Sequence, residues 1–205
     1  MDKLKVLAAL WLLALAPAAG NCGWTPFKLE LSGSSWAWPE DVDTVAGLNL
    51  NFSGDTPEIY GLQFGVLNGA GTVGGAQLGL WYNYVTGAVY GLQSSPARNF
   101  ADYQYGVQFG GWNVSNEAWG VQAAWLRNWA GLGNGVMAAP VNVVKDRMRG
   151  IQLGFYNVTD GDMSGLQLGA VNICRGTLKG VQIGVANIGG KNALLPVTIG
   201  LNAGF

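Results

Sequence analysis

Apolar and polar residues alternate along most of the chain. Near the carboxyl end, Val181, Ile183 and Val185 occupy one set of alternate positions, and Gly180, Gln182 and Gly184 occupy the other. Successive side chains of an extended strand point to opposite faces, whereas a helix repeats about every 3.6 residues. The pattern therefore predicts β-strands with one apolar face and one small or polar face.

The alternation is organised in a tandem repeat of the form G-[LVI]-Q-x-G-x-x-N. The units begin 14 to 16 residues apart, at Gly61, Gly75, Gly91, Gly106, Gly120, Gly135, Gly150, Gly165 and Gly180. Turn-forming residues such as Asp160-Gly161-Asp162 lie between the units. Each unit predicts one strand of about 10 residues and a tight turn, and about 10 tilted residues are enough to cross a bilayer.

The chain ends in a further alternating segment, residues 195–205, whose last residue is Phe205. Such an ending is typical of the closing strand of an outer-membrane barrel. We therefore predict an all-β fold, an antiparallel transmembrane β-barrel of about 10–12 strands. Residues 20–205 are expected to form its single domain, with the repeats over 61–187 and Phe205 as the assembly signal.

An alternative architecture explains one irregularity. The seventh residue of a unit is often bulky, as Trp112 and Tyr156 are. A partly plugged barrel explains this, and so does a bend after the sixth residue, which makes each unit one coil of a parallel β-solenoid. In a solenoid the asparagines of the regular units form a ladder, namely Asn68, Asn113, Asn157, Asn172 and Asn187. Antiparallel neighbouring repeats indicate the barrel, and parallel ones indicate the solenoid.

The amino-terminal residues predict export. Lys3 and Lys5 precede the apolar run 6–15, and Ala16-Pro17-Ala18 forms a small-x-small cleavage pattern, so residues 1–19 are predicted to be a signal peptide. Together with the barrel, this predicts the outer membrane of a Gram-negative-type bacterium. A lipoprotein anchor on Cys22 is the alternative. Cys22 and Cys174 are expected to be unpaired rather than joined by a disulfide.

Composition restricts the chemistry. Charged residues are 11% of the chain, against about a quarter in soluble domains, and the net charge is -1. With its few basic residues scattered, the chain lacks the electrostatic footprint of a nucleic-acid-binding protein. It contains no histidine, which removes the usual nucleophilic triads and the commonest metal ligand. We expect a non-enzymatic protein without catalytic residues, cofactor or metal.

Two sets of residues are candidates for function. Aromatic residues near the predicted strand ends are expected to form membrane girdles, namely Trp81, Trp112, Trp119, Trp125 and Trp129. Glutamines on the predicted inner face are expected to line the lumen, namely Gln63, Gln77, Gln108, Gln122, Gln152, Gln167 and Gln182. These amides either bond from strand to strand or line a neutral passage for small solutes.

The repeat units from Gly61 to Asn187 resemble those of bacterial surface-repeat proteins of the outer-membrane β-barrel type. The resemblance implies a surface or outer-membrane component and no particular activity. The expected partners are outer-membrane lipid and the barrel-assembly machinery. The expected function is envelope structure or limited passage of small neutral solutes, and the alternative is a secreted β-solenoid adhesin or surface-binding repeat protein.

Overall fold

A computed structural model describes residues 23–32 and 36–205 of the 205-residue chain, so the predicted signal peptide and Cys22 lie outside the described residues. The described part is all-β, as predicted, and none of it forms a helix long and apolar enough to cross a membrane. Its strands are β1 (Trp24–Ser32), β2 (Trp36–Trp38), β3 (Thr44–Ala138), β4 (Val141–Leu153), β5 (Tyr156–Thr159), β6 (Asp162–Leu168), β7 (Val171–Cys174), β8 (Leu178–Ile188) and β9 (Val197–Gly204).

Neighbouring repeats pair in parallel. Gly150 of β4 lies beside Gly165 of β6, which in turn lies beside Gly180 of β8. Equivalent residues of successive units are thus adjacent, and each unit is one coil of a β-solenoid. The alternative architecture is therefore the one observed. The predicted antiparallel pairing of the repeats is wrong, and a closed barrel of 10–12 strands is replaced by a nine-stranded solenoid sheet in the described chain.

The chain turns because each unit contains bends that the alternation does not reveal. Gly150 has a φ of 127°, and a Cβ added to it would collide with the carbonyl oxygen of Gly135 in the preceding coil. Further bends follow at 154–155 and 160–161. The long strand β3 is hydrogen-bonded through such corners, so its 95 residues wind through several coils.

Two ladders of side-chain amides run along the interior. Except for Gln63, which begins the ladder, and Gln152, which follows the coil of Met137, the Nε2 of each ladder glutamine donates to the Oε1 of the glutamine in the preceding coil, over 2.7–2.8 Å, as in Gln77 to Gln63. The Nδ2 of each ladder asparagine donates to the Oδ1 of the asparagine in the following coil, over 2.8–3.0 Å, as in Asn68 to Asn83. The polar face that suggested a lumen therefore faces a packed interior, where buried amides must find partners.

Two further inward columns complete the interior. One contains the residue two positions after each ladder asparagine, such as Ala70 and Val144, and the other contains the residue two positions before each repeat glycine, such as Val73 and Met148. These residues form two apolar clusters, one around Ile59 and Val85 and one around Met148 and Leu178. Apart from the coil of Met137, each repeat coil thus packs two ladder amides against two further side chains, most of which are small or apolar.

The two ends of the solenoid are capped in different ways. At the amino end, Lys28 and Glu30 form a buried ion pair of 2.8 Å, and Asn49 and Thr56 bond to Glu30. At the carboxyl end, β9 pairs antiparallel with β8. Asn202 of β9 donates to Gln182 over 3.3 Å and so ends the glutamine ladder. The predicted closing strand is real, but it caps a solenoid, and Phe205 beyond it is exposed.

Candidate binding surface

The predicted lumen-lining glutamines all lie in the interior. The side chains that are at most 1% exposed include all seven of them, Gln63, Gln77, Gln108, Gln122, Gln152, Gln167 and Gln182. Their amides bond along the ladder, which favours the structural role over a solute passage. At one level the ladder is interrupted, because Met137 stands where a glutamine is expected and the Oε1 of Gln122 has no hydrogen-bond partner among the described residues.

The outer surface has three faces. Face A is formed by the residues on either side of each ladder glutamine, and face B by the residues on either side of each ladder asparagine. Corner AB is the segment that joins face A to face B in each coil. Face C is the remaining part of the coil, between face B and the next repeat glycine.

Faces A and B are mostly apolar along the length of the repeats. Face A includes Phe64, Phe109 and Leu168, with Ser94 as its polar exception. Face B includes Tyr84 and Trp112. Monomeric soluble proteins rarely expose a continuous apolar patch of more than a few hundred Å², so such faces indicate an interaction surface.

Corner AB carries the most exposed large apolar side chains of the repeats. Phe155 is 69% exposed, Val185 is 70% exposed and Trp81 is 63% exposed, with Leu80, Trp125 and Leu126 also exposed. A corner projects from the solenoid, and therefore these side chains are accessible from solvent. Four of these residues were not predicted, although their place between the glutamine and the asparagine of each unit is visible in the sequence, namely Leu80, Leu126, Phe155 and Val185.

Most charged residues of the repeats lie on face C. Between residues 61 and 191, every charged residue lies on this face except Arg98 and Arg127, which lie on face B. Lys145 donates a 3.0 Å hydrogen bond to Asp160, which lowers the pKa of that carboxyl, and Arg175 also pairs with Asp160. The backbone N–H of Thr177 donates to Asp162 and lowers its pKa. The charge of the repeats is therefore concentrated on face C, which also exposes aromatic side chains such as Tyr90 and Trp119.

The predicted girdle tryptophans lie on different sides of the solenoid. Trp81 and Trp125 are on corner AB, and Trp112 and Trp129 are on face B. Trp119 is on face C, at 6.5 Å from the ring of Tyr105. The structure thus brings four of the five to the apolar side and separates Trp119 from them.

The chain was compared with known proteins at three levels. No protein-family model, curated protein or solved structure matched it.

Proposed function

We propose that this protein is an exported, non-enzymatic β-solenoid that binds the lipid surface of the cell envelope through corner AB and the adjoining faces A and B. The observation that carries the proposal is the segregation of charge. Apart from Arg98 and Arg127, the charged residues of the repeats lie on face C, while corner AB exposes aromatic and aliphatic side chains such as Phe155 and Trp125.

An amphipathic body of this kind lies in the plane of a membrane interface. Its apolar side enters the boundary between headgroups and acyl chains, and its charged side stays in water. Removal of apolar surface from water contributes about 25 cal/mol per Å². A contact of about 400 Å² would therefore contribute about 10 kcal/mol before the costs of association are subtracted.

The cellular address is part of the same proposal. A signal peptide over residues 1–19 would export the chain from the cytoplasm, and the proposed address is the outer membrane, where surface-repeat proteins with similar units are expected. We do not propose a role for Phe205 in membrane assembly, nor a passage for solutes, because both roles require a closed barrel. The β-solenoid fold instead favours the alternative from the sequence, a secreted β-solenoid adhesin or surface-binding repeat protein, of which we propose the surface-binding form.

The test is flotation of the purified protein with vesicles of phosphatidylethanolamine and phosphatidylglycerol. The double variant Trp125→Ser/Phe155→Ser removes two exposed aromatic side chains from corner AB. The matched control, Tyr103→Ser/Trp119→Ser, removes two similarly exposed aromatic side chains from face C. Burial of each aromatic ring is worth about 1.5–3 kcal/mol, so we expect the corner variant to partition at least tenfold more weakly and the control to stay within about twofold.

Two results would contradict lipid binding. In one, the unmodified protein stays with the soluble fraction at all lipid concentrations. In the other, the corner and control variants lose vesicle binding equally. Corner-dependent binding to a protein-coated surface without binding to lipid would instead indicate a protein partner.

A further inference from the structure

Two arginines flank a tryptophan on face B. Arg98, Trp112 and Arg127 occupy the same position in three successive coils, just before the ladder asparagine. The Cζ of Arg98 lies 5.4 Å from the centre of the Trp112 ring, and the Cζ of Arg127 lies 5.7 Å from it. Because one arginine precedes Trp112 by a coil and the other follows it, their guanidinium groups lie on either side of the ring.

A cleft of about 390 Å³ adjoins this trio. Its other lining residues are Phe100, Val114, Asn116 and Trp129. Phe100 stacks on Tyr84 with 5.0 Å between ring centres, and Val114 then interrupts the aromatic column before Trp129. Coils are about 4.8 Å apart, so Phe100 and Trp129 are separated by roughly 10 Å and leave room above Val114 for one flat ring.

The charges of the cleft lack a counterion. Among the described residues, neither Arg98 nor Arg127 forms a salt bridge, and the buried Nε of each has no hydrogen-bond partner. Asn116 at the edge of the cleft donates a 2.9 Å hydrogen bond to Asp102. Two unpaired positive charges on an otherwise apolar face favour an anionic ligand, because guanidinium groups bind phosphate oxygens in a bidentate manner.

We propose that this cleft binds a phosphorylated sugar. The phosphate would bind the guanidinium group of Arg98 or that of Arg127, with the second arginine adding to the positive potential, and the apolar face of the sugar ring would stack on the aromatic walls beside Val114. The cleft lies on face B, which is part of the proposed membrane contact, but its lining residues are distinct from those of corner AB. A soluble sugar phosphate and the headgroup of a phosphorylated glycolipid share this chemistry.

The direct test is calorimetric titration of the purified protein with glucose 1-phosphate, with glucose and inorganic phosphate as separate probes. We expect glucose 1-phosphate to bind at least tenfold more tightly than either probe, because each probe supplies only one half of the contacts. The double variant Arg98→Leu/Arg127→Leu should weaken binding at least tenfold. It should fold, since the equivalent position is occupied by Leu67 in another coil.

The matched control is Arg149→Leu, which removes an exposed arginine from face C. It should bind glucose 1-phosphate like the unmodified protein. The proposal is overturned if the unmodified protein does not bind glucose 1-phosphate, if the Arg98→Leu/Arg127→Leu double variant with an unchanged melting temperature binds it equally, or if inorganic phosphate alone binds as tightly.

Vesicles distinguish the two sources of the ligand. If the ligand is a glycolipid, vesicles containing a phosphorylated glycolipid should bind more protein than phosphatidylglycerol vesicles. The double arginine variant should then bind both kinds of vesicle equally. Equal binding to both vesicles, together with tight binding of glucose 1-phosphate, assigns the site to a soluble sugar phosphate. The corner AB variant separates this site from the proposed membrane contact, because it should bind glucose 1-phosphate normally.

Discussion

Asn128 donates a hydrogen bond from its Nδ2 to the Oδ1 of Asn142, 3.0 Å away, at the level where Met137 interrupts the glutamine ladder. The asparagine ladder is therefore the one amide ladder that crosses this level of the described chain. Asn128 also accepts a 3.0 Å bond from Asn113 and donates to the carbonyl of Gln122. This residue connects the two halves of the polar interior.

Asn128→Ala should lower the free energy of unfolding by about 2 to 4 kcal/mol, because it removes three hydrogen bonds and leaves buried amide groups without partners. Urea denaturation measures this change. The matched control is Asn116→Ala, which removes an exposed asparagine bonded to Asp102 and should cost less than about 0.5 kcal/mol. Equal costs for the two variants would contradict a structural role for the ladder.

Met137→Gln should repair the glutamine ladder. The new amide can donate to the unpaired Oε1 of Gln122, and an unsatisfied buried acceptor costs about 1–3 kcal/mol, so we expect a gain in stability of about 1 kcal/mol. The same substitution at Met148 buries an amide in an apolar cluster and should cost about 2 kcal/mol or more. Thermal unfolding distinguishes the two variants. If both change the melting temperature in the same direction, Met137 does not lie in the glutamine column or Met148 does not lie in the apolar one.

Gly150→Ala should prevent close stacking of two coils. Its φ of 127° is unfavourable for an L-residue, and the added Cβ would meet the carbonyl oxygen of Gly135. We expect a loss of about 3 kcal/mol or more, because strained backbone alone costs about 1–3 kcal/mol. Gly23→Ala is the control, since a Cβ there meets nothing within 4 Å. A melting temperature unchanged by Gly150→Ala would show that the repeat glycines tolerate a side chain.

Cys174 should resist thiol reagents in the folded protein. Its side chain is fully buried, and this burial raises the pKa of the thiol, so little thiolate forms at pH 8. In a Cys22→Ser background, iodoacetamide should label Cys174 at least a hundredfold more slowly before urea is added than after. Because the folded pKa is the higher one, the thiol's contribution to stability should be lost as the pH rises towards it. Labelling at the rate of a free thiol without urea would contradict this burial.

The sequence predicted which residues share one face of a strand, but it did not predict which residues of neighbouring repeats they contact. Alternation placed Gln167 and Gln182 on one face of a strand, and the regular spacing of Asn172 and Asn187 suggested a ladder if the repeats were parallel. Both ladders exist. The direction of pairing was not determined, because an alternating strand has the same pattern beside a parallel or an antiparallel neighbour.

The proposed binding surface was predicted only in part. Trp81 and Trp125 were predicted as membrane-girdle aromatics, but Phe155 and Val185 were not, because their exposure depends on the bend at 154–155 and its equivalents. The unusual charge of Arg98 and Arg127 within a unit was visible in the sequence. Their common contact with Trp112 was not, because it requires three coils to stack in register.

By itself, the sequence determined an all-β chain, a unit of 14 to 16 residues, and the choice of side chains on each side of a strand. Those features are local, since a strand's alternation and a repeat's period depend only on neighbouring residues. The tertiary structure decided that the units coil and stack in parallel. It decided this through backbone angles at residues such as Gly150 and through contacts between residues one coil apart, where a buried amide needs a partner from the next unit.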